Sequence, residues 1–171
     1  MSSTLQPLPI RLAQTLGLTS SLLLAGQTLT LSTFLIPRLL DSPTPLMLRQ
    51  WNAMYQSGKK QGPPFALVSA LSYWYLAYHS SSSSKTTAYA VAGALAIGIV
   101  PYTLLFIKGT NVKLLEKVGE TKSLGKLEEV TEVGLGNQSA HALVDWWGML
   151  NLGRGMLVVA SGVLGTWTAL N

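Results

Sequence analysis

The sequence predicts an all-α fold, a bundle of four transmembrane helices with short amphipathic helices in the two longer, cytoplasmic loops. Two observations lead to this prediction. Of the 171 residues, 48% are hydrophobic and only 11% are charged, whereas soluble domains usually carry about 25% charged residues. Four stretches also approach the roughly 20 apolar residues that cross a bilayer core. The length predicts one domain, so we expect residues 1–171 to form a single integral membrane domain.

The first predicted span runs from about residue 12 to residue 36. It contains no charge after Arg11, and its serines and threonines can bond to carbonyls of their own helix. Pro37 and Arg38 are expected to close it. The stretch is too long for a cleaved signal peptide and three more spans follow, so we expect a retained helix.

The second and third spans are expected at residues 63–79 and 86–107. The second ends in tyrosines and a tryptophan, which are typical of the membrane–water boundary. The third is uncharged and rich in alanine and glycine, and such small residues allow another helix to approach closely. Pro101 lies inside it and is predicted to kink it.

The fourth span is expected at residues 146–170, where Arg154 is the single charged residue. Its glycines again suit close helix packing, and together with the third span they favour a homo-oligomer.

The basic residues predict the orientation of the spans. Four spans place both termini on one side, together with Arg11 and Lys85. Nine other lysines and arginines fall in the two longer loops. Because cytoplasmic loops carry the excess of basic residues, we expect both long loops in the cytoplasm. The chain would then be a multi-pass protein of the endoplasmic reticulum or a related endomembrane.

Both long loops have helical patterns. In residues 44–57 the apolar residues Leu48, Trp51 and Tyr55 recur at helical spacing, which predicts a short interfacial helix. Residues 111–133 mix leucine and valine with lysine and glutamate. They are expected to form one or two amphipathic helical pieces that break at glycines 119 and 125.

The composition excludes several kinds of site and partner. The sequence contains no cysteine, which excludes disulfide scaffolds, iron–sulfur clusters and thiol catalysis. The net charge of +5 comes without a basic stripe, so we expect no nucleic-acid partner. On the predicted topology His79 and His141 lie on opposite sides of the membrane, and we expect no shared metal site. Ligation of haem by one histidine stays open.

Arg154 is the strongest candidate for a functional residue. An arginine inside a spanning segment is costly and should face the bundle interior. Helical spacing places Trp147, Asn151 and Arg154 near one face, and His141 and Asp145 continue a polar stripe towards the cytoplasm. The alternative is a structural bridge from Arg154 to Asp145 or to the backbone.

Two further groups are candidates for binding a flat phenolic ligand. Trp51, Asn52 and Tyr55 combine an aromatic surface with an amide; the alternative is an aromatic anchor at the membrane boundary. Tyr102 and Asn111 flank the end of the third span, where a helix-capping role is the alternative.

Three short motifs carry a resemblance to a known family: Ile36-Pro37 with Arg49-Gln50-Trp51, Tyr55 and Gly58; Pro101-Tyr102-Thr103 with Thr110-Asn111; and Trp147-x-x-Leu150-Asn151-x-x-Arg154. Over about residues 15–165 the chain resembles the fungal anthrone oxygenase-like family of small four-span membrane proteins. Gly109 departs from it, because the family commonly has proline there.

The resemblance implies oxidation of a polyketide anthrone to an anthraquinone by molecular oxygen in fungal secondary metabolism. An anthrone methylene is acidic because its anion is delocalised into an aromatic enolate. Such a substrate needs a general base and a donor for the enolate oxygen, with oxygen as co-substrate and no resident cofactor. On this hypothesis Arg154 and Asn151 stabilise the enolate, and His141, or Asp145 acting on it, is the base.

The expected partners are a lipophilic aromatic small molecule and the lipid bilayer. Trp51, Tyr55 and Trp147 would shape the flat apolar pocket for that molecule. Two other functions stay open: an isomerase or cyclase acting on another lipophilic metabolite, and a non-catalytic membrane scaffold. A transporter is less favoured because the sequence shows no internal repeat.

Overall fold

The computed structural model describes residues 6–123 and 139–171. Every regular element within these two ranges is helical, as predicted. In chain order the elements are α1 Leu8–Thr30, a first π segment Leu31–Leu35, α2 Ile36–Leu40, α3 Thr44–Tyr78, α4 Ser83–Ile97, α5 Ile99–Tyr102, a second π segment Thr103–Ile107, α6 Lys108–Glu120 and α7 Ala140–Leu170.

Three helices in the described ranges are long and apolar enough to cross a membrane, so the chain is a membrane protein. They are Leu8–Leu40, Ser83–Glu120 and Ala140–Leu170. The first two are continuous through their π segments. Helix α3 is not among the three. Its apolar part begins only at Pro63, and it is therefore shorter than the roughly 20 residues that a span requires.

Helix α3 joins two elements that were predicted to be separate, the interfacial helix at 44–57 and the span at 63–79. It runs through Pro63-Pro64 without interruption. A proline inside a helix removes a backbone hydrogen bond and crowds the carbonyl four residues earlier. Burial on either side offsets this cost, because Trp51 before the prolines and Tyr73 after them have no exposed surface.

The amphipathic stretch predicted at 111–133 is also not a separate loop helix where it is described. Helix α6 follows the second π segment directly and ends at Glu120, one residue after the break predicted at Gly119. The rest of the stretch, residues 124–133 with the predicted break at Gly125, lies outside the described residues.

The first span does not end at Pro37, as we predicted, but at Leu40. The change of geometry comes before the proline. In the first π segment the Ile36 N–H donates to the Leu31 carbonyl, five residues back instead of four. In a regular α-helix the ring of Pro37 would crowd the carbonyl of Thr33. Thr33 lies in the π segment, whose wider turn accommodates the proline ring.

The third span departs from α geometry on both sides of Pro101. Gly98 separates α4 from α5, and the second π segment begins at Thr103. The proline cannot donate to the carbonyl of Ile97, and regular α-helix gives way at Gly98, three residues before the proline. The structure thus shows a π segment close to the proline at which a kink was predicted.

The chain divides into two compact units. The first consists of Met1–Gly26, Gly62–Val100 and Gly155–Asn171. At its core the Tyr73 hydroxyl lies 2.8 Å from the Ser21 hydroxyl. A Cβ on Gly165 would overlap the Tyr73 ring, so this glycine lets the ring approach the backbone of α7.

The second unit consists of Gln27–Gln61 and Pro101–Arg154. Its core is a cluster of eleven buried side chains from α2, α3, the second π segment, α6 and α7. They are Ile36, Leu39, Met47, Leu48, Trp51, Ile107, Leu114, Ala140, Leu143, Val144 and Trp147. All ten candidate site residues lie in this unit, and four of them, Trp51, Tyr55, Tyr102 and Trp147, belong to this cluster or pack against it.

Candidate active site

Asn151 is a fully buried amide in the second unit. It lies on α7 and has no exposed surface, so its polar atoms need protein partners. Its Nδ2 donates to the Thr28 carbonyl at 3.1 Å and to the Ser32 hydroxyl at 2.7 Å. Its Oδ1 accepts a hydrogen bond from Arg154 at 2.5 Å. Bonds on both sides of the amide fix its orientation.

Arg154 is half-buried one turn further along α7. Its Nη2 donates to Asn151 and its Nη1 lies 3.5 Å from the Thr103 hydroxyl. Both partners are neutral, and within the described ranges no carboxylate pairs with the guanidinium. A guanidinium has five N–H donors, so several remain for a ligand.

The structure does not form the alternative bridge from Arg154 to Asp145. Nine residues of α7 separate the two, which is about 14 Å along the helix axis. Asp145 is exposed. The positive charge of Arg154 is therefore not neutralised from within its own helix.

The two π segments supply hydroxyl groups to this pair. Ser32 belongs to the first segment and Thr103 to the second, and they contact Asn151 and Arg154 respectively. Single π turns are frequent at functional sites because they change the direction in which side chains leave a helix. Thr28 and Ser32 were not predicted from the sequence, where the available signal was a polar residue inside an apolar span.

Tyr102 lies beside Arg154. Its hydroxyl packs against Gly153, where an added Cβ would overlap it. The phenol is close enough to interact electrostatically with the guanidinium, and its ring contacts Phe106 at 4.9 Å between centroids. Gly153 thus provides the space that brings the hydroxyl next to Arg154.

An aromatic cluster consists of Trp51 and Tyr55 of α3 and Trp147 of α7, which lies one turn before Asn151. The ring of Trp51 stacks on Tyr55 with centroids 5.2 Å apart and meets Trp147 edge-on at 5.9 Å. The Trp147 indole N–H donates to Asn111 Oδ1 at 2.8 Å. These four residues, predicted from separate parts of the sequence, are therefore brought together.

The indole N–H of Trp51 has no hydrogen-bond partner among the described residues, although Trp51 has no exposed surface. Leaving a buried donor unsatisfied costs about 1–3 kcal/mol, and native proteins keep few such groups. A bound molecule could satisfy this N–H once the side chains that cover it move.

Three predicted site residues lie apart from Arg154. His141 is half-buried, and its Nε2 lies 3.3 Å from the Ser42 carbonyl. Thirteen residues of α7 separate it from Arg154, about 20 Å along the axis. Asn52 accepts a hydrogen bond from Gln56 on its own helix at 3.3 Å. The structure therefore brings neither His141, Asp145 nor Asn52 to the Arg154–Asn151 pair.

In the described ranges no group of three histidine, aspartate or glutamate side chains is arranged to hold a metal ion. His79 belongs to the first unit and His141 to the second. His79 is exposed and contacts the ring of Tyr75 at 4.3 Å.

The sequence matches one known family over most of this site. The family model described as anthrone oxygenase matches residues 51–164, more than half of the chain. The chain belongs to the anthrone oxygenase family. The matched segment contains the aromatic cluster, Tyr102 and the Arg154–Asn151 pair, whereas Thr28 and Ser32 precede it.

Individual members of the anthrone oxygenase family are similar to the chain over most of its length. An anthrone oxygenase of Aspergillus fumigatus is 32% identical over 93% of each chain. An anthrone oxygenase of Paecilomyces divaricatus is 30% identical over 90% of this chain and 93% of its own. A noranthrone monooxygenase of Aspergillus flavus is 32% identical over 83% of this chain and 66% of its own. No solved structure matches the chain significantly.

Proposed function

We propose that this chain is a membrane-embedded monooxygenase that oxidises a polyketide anthrone to an anthraquinone with molecular oxygen, in fungal secondary metabolism. The names of the relatives support the reaction. The observation that carries the proposal is the half-buried guanidinium of Arg154, which is oriented by the buried Asn151 and has only neutral partners. Such a group is suited to an anion that forms during a reaction.

The reaction balances with oxygen as the only other reactant. A base removes one methylene proton, and the resulting enolate passes one electron to oxygen. The carbon radical and superoxide combine to a peroxide anion, which takes up a proton. Loss of the second methylene hydrogen with cleavage of the O–O bond then gives the carbonyl and water. One oxygen atom enters the product and the other leaves as water, so no external reductant and no resident cofactor are needed.

In this proposal Arg154 stabilises the enolate oxygen, and the Tyr102 hydroxyl lies beside it. Asn151, which was predicted to contact the enolate as well, only orients the guanidinium, because both of its N–H groups donate to Thr28 and Ser32. The aromatic cluster would hold the flat ring system, with Trp147 about 10 Å from Arg154 along α7. When the side chains that cover Trp51 move to admit the substrate, its unsatisfied N–H would donate to a second oxygen of that substrate. Fused-ring ketones with phenolic hydroxyls carry acceptors at several positions, which fits two separated donors.

The proposed base lies far from the guanidinium along α7. His141, or Asp145 acting on it, could take a proton from a substrate bound at the aromatic cluster, because Trp147 is about 9 Å further along α7. The same atoms of the substrate cannot also contact Arg154, about 20 Å from His141. The roles of His141 and Arg154 are therefore tested with separate variants.

Oxygen consumption by purified protein supplied with an anthrone tests the reaction. We expect one oxygen consumed for each anthraquinone formed, and no product without oxygen. Product formation without oxygen uptake would support the isomerase or cyclase alternative. Neither conversion nor binding of the anthrone would support the scaffold. A visible absorption spectrum of the same sample tests for haem.

Arg154→Ala is the decisive variant for the site. Removing a donor that stabilises a developing anion lowers turnover by about 100- to 1,000-fold, and we expect a loss of this size. Arg154→Lys should retain part of the activity, because it keeps the charge but not the planar set of donors. Arg38→Ala is the matched control, since Arg38 is exposed in the same unit and donates to its own helix.

Unchanged turnover of Arg154→Ala, with normal expression, would overturn the proposed site. His141→Gln in the same assay tests the base. Because His141 is distant from the guanidinium, we expect the smaller loss for this variant.

We further propose that the second half of α3 is a fourth span and that both long loops face the cytoplasm of an endomembrane. The excess of basic residues in those loops supports the orientation. The small residues of the third and fourth spans support a homo-oligomer as an additional state.

A further inference from the structure

A cavity of about 300 Å³ lies in the first unit, where α1 begins, α3 ends and α4 begins. It contains no residue of the proposed active site. Its polar lining comprises Gln6, Gln14, His79, Ser80–Ser82, Lys85 and Tyr89. Amide, hydroxyl and ammonium groups all donate hydrogen bonds, so the lining is suited to a ligand rich in acceptors.

The charge of Lys85 has no counterpart in this unit. None of the seven aspartates and glutamates of the chain falls within the residue ranges of the first unit. The only other charged residue there is Arg11, which is exposed, whereas Lys85 is half-buried at the cavity. Since a partly buried ammonium is stabilised by an anion, an anionic ligand in the cavity would supply the counter-charge that the side chains of this unit lack.

The surroundings of the cavity indicate which anion this is. At the end of α3, Tyr75 and Tyr78 are exposed beside His79. Exposed aromatic residues at the end of a membrane helix are typical of the level of the lipid headgroups. Ile10 and Leu76 supply an apolar part of the cavity wall. A phosphate with attached acyl chains matches both the polar and the apolar parts of the lining.

We propose that this cavity binds the phosphate group of a membrane phospholipid, with Lys85 as its cationic contact. The ammonium and the amide and hydroxyl groups of the lining hold the phosphate oxygens. The acyl chains leave along the apolar wall. This site is independent of the proposed oxidation, because it shares no residue with it.

Native mass spectrometry of the delipidated full chain in detergent tests the proposal. We expect saturable binding of phosphatidylglycerol, and no comparable binding of diacylglycerol, which has the chains without the phosphate. Lys85→Gln should weaken phosphatidylglycerol binding about tenfold or more, as expected for the loss of a hydrogen bond to a charged group. Lys85→Arg should bind close to wild type because it keeps the charge. Arg11→Gln, the matched control, should bind as wild type.

Several results would overturn the proposal. Equal binding of diacylglycerol would show that the phosphate is not recognised, and equal losses in Lys85→Gln and Arg11→Gln would show that the cavity is not the site. Displacement of the lipid by millimolar inorganic phosphate would assign the site to a free anion instead. Anthrone oxidation by Lys85→Gln in detergent should match wild type, which also shows that this variant is folded.

Discussion

Arg154 is held by neutral oxygen atoms on both sides. An arginine in an apolar span is costly, and hydrogen bonds to an amide and a hydroxyl orient its charge without cancelling it. Arg154 itself could be predicted, because it is the single charge in its span. The residues of the first span that support the pair could not be predicted. Ser32 and Thr28 are two of many hydroxyl-bearing residues in the first span, and no spacing rule distinguishes them.

Gly153 allows a test of the Tyr102 hydroxyl without altering the tyrosine. A Cβ at Gly153 would displace that hydroxyl from its place beside Arg154. We expect Gly153→Ala and Tyr102→Phe to lower turnover by similar factors, about tenfold for the loss of a hydrogen bond from this hydroxyl to the charged enolate of the proposed reaction. The double variant should be little worse than either single variant, because both remove the same contact.

Gly109→Ala is the control for that experiment, since Gly109 has open space around it and should tolerate the methyl group. Fully additive losses in the double variant would mean that Gly153 and Tyr102 act separately.

Hydropathy and periodicity predict some of the helices correctly and miss others. Apolar runs identify the long helices because bilayer thickness fixes their length. Helical spacing places Trp147, Asn151 and Arg154 near one face, and α7 is uninterrupted α-helix between them. Across a π segment the same spacing fails, since one turn holds an extra residue. The continuation of α3 through Pro63-Pro64 was missed because its stabilisation comes from side chains distant in sequence.

The cost of Pro63 and Pro64 inside α3 predicts how a substitution there changes the stability of the protein. Pro64→Ala restores a backbone N–H inside the helix and should raise thermal stability, by up to about 3 kcal/mol. The unfolding midpoint of the purified protein is the measurement. Gly62→Ala, at a neighbouring site with open space, should gain only the propensity difference of about 1 kcal/mol. A lower midpoint for Pro64→Ala would mean that the packing requires the proline ring.

At the scale of the whole molecule, the absence of cysteine makes a direct test of topology possible. Ser57 and Ser81 are both exposed and lie on either side of the apolar part of α3. In sealed microsomes a membrane-impermeant maleimide should label Ser57→Cys directly and Ser81→Cys only after permeabilisation. Labelling of both without detergent would mean that this part of α3 does not cross the membrane.

The two π segments restrict which deletions the sequence can accept during evolution. Each residue of an α-helix advances by about 100° around the axis, so losing one residue from a π turn would rotate the rest of the helix by that angle. The helix would survive the deletion, yet Ser32 or Thr103 would no longer face its partner on α7. Single-residue gaps at Leu31–Leu35 and Thr103–Ile107 should therefore be rare among relatives that retain the reaction. Where such gaps occur, they should mark members with altered chemistry.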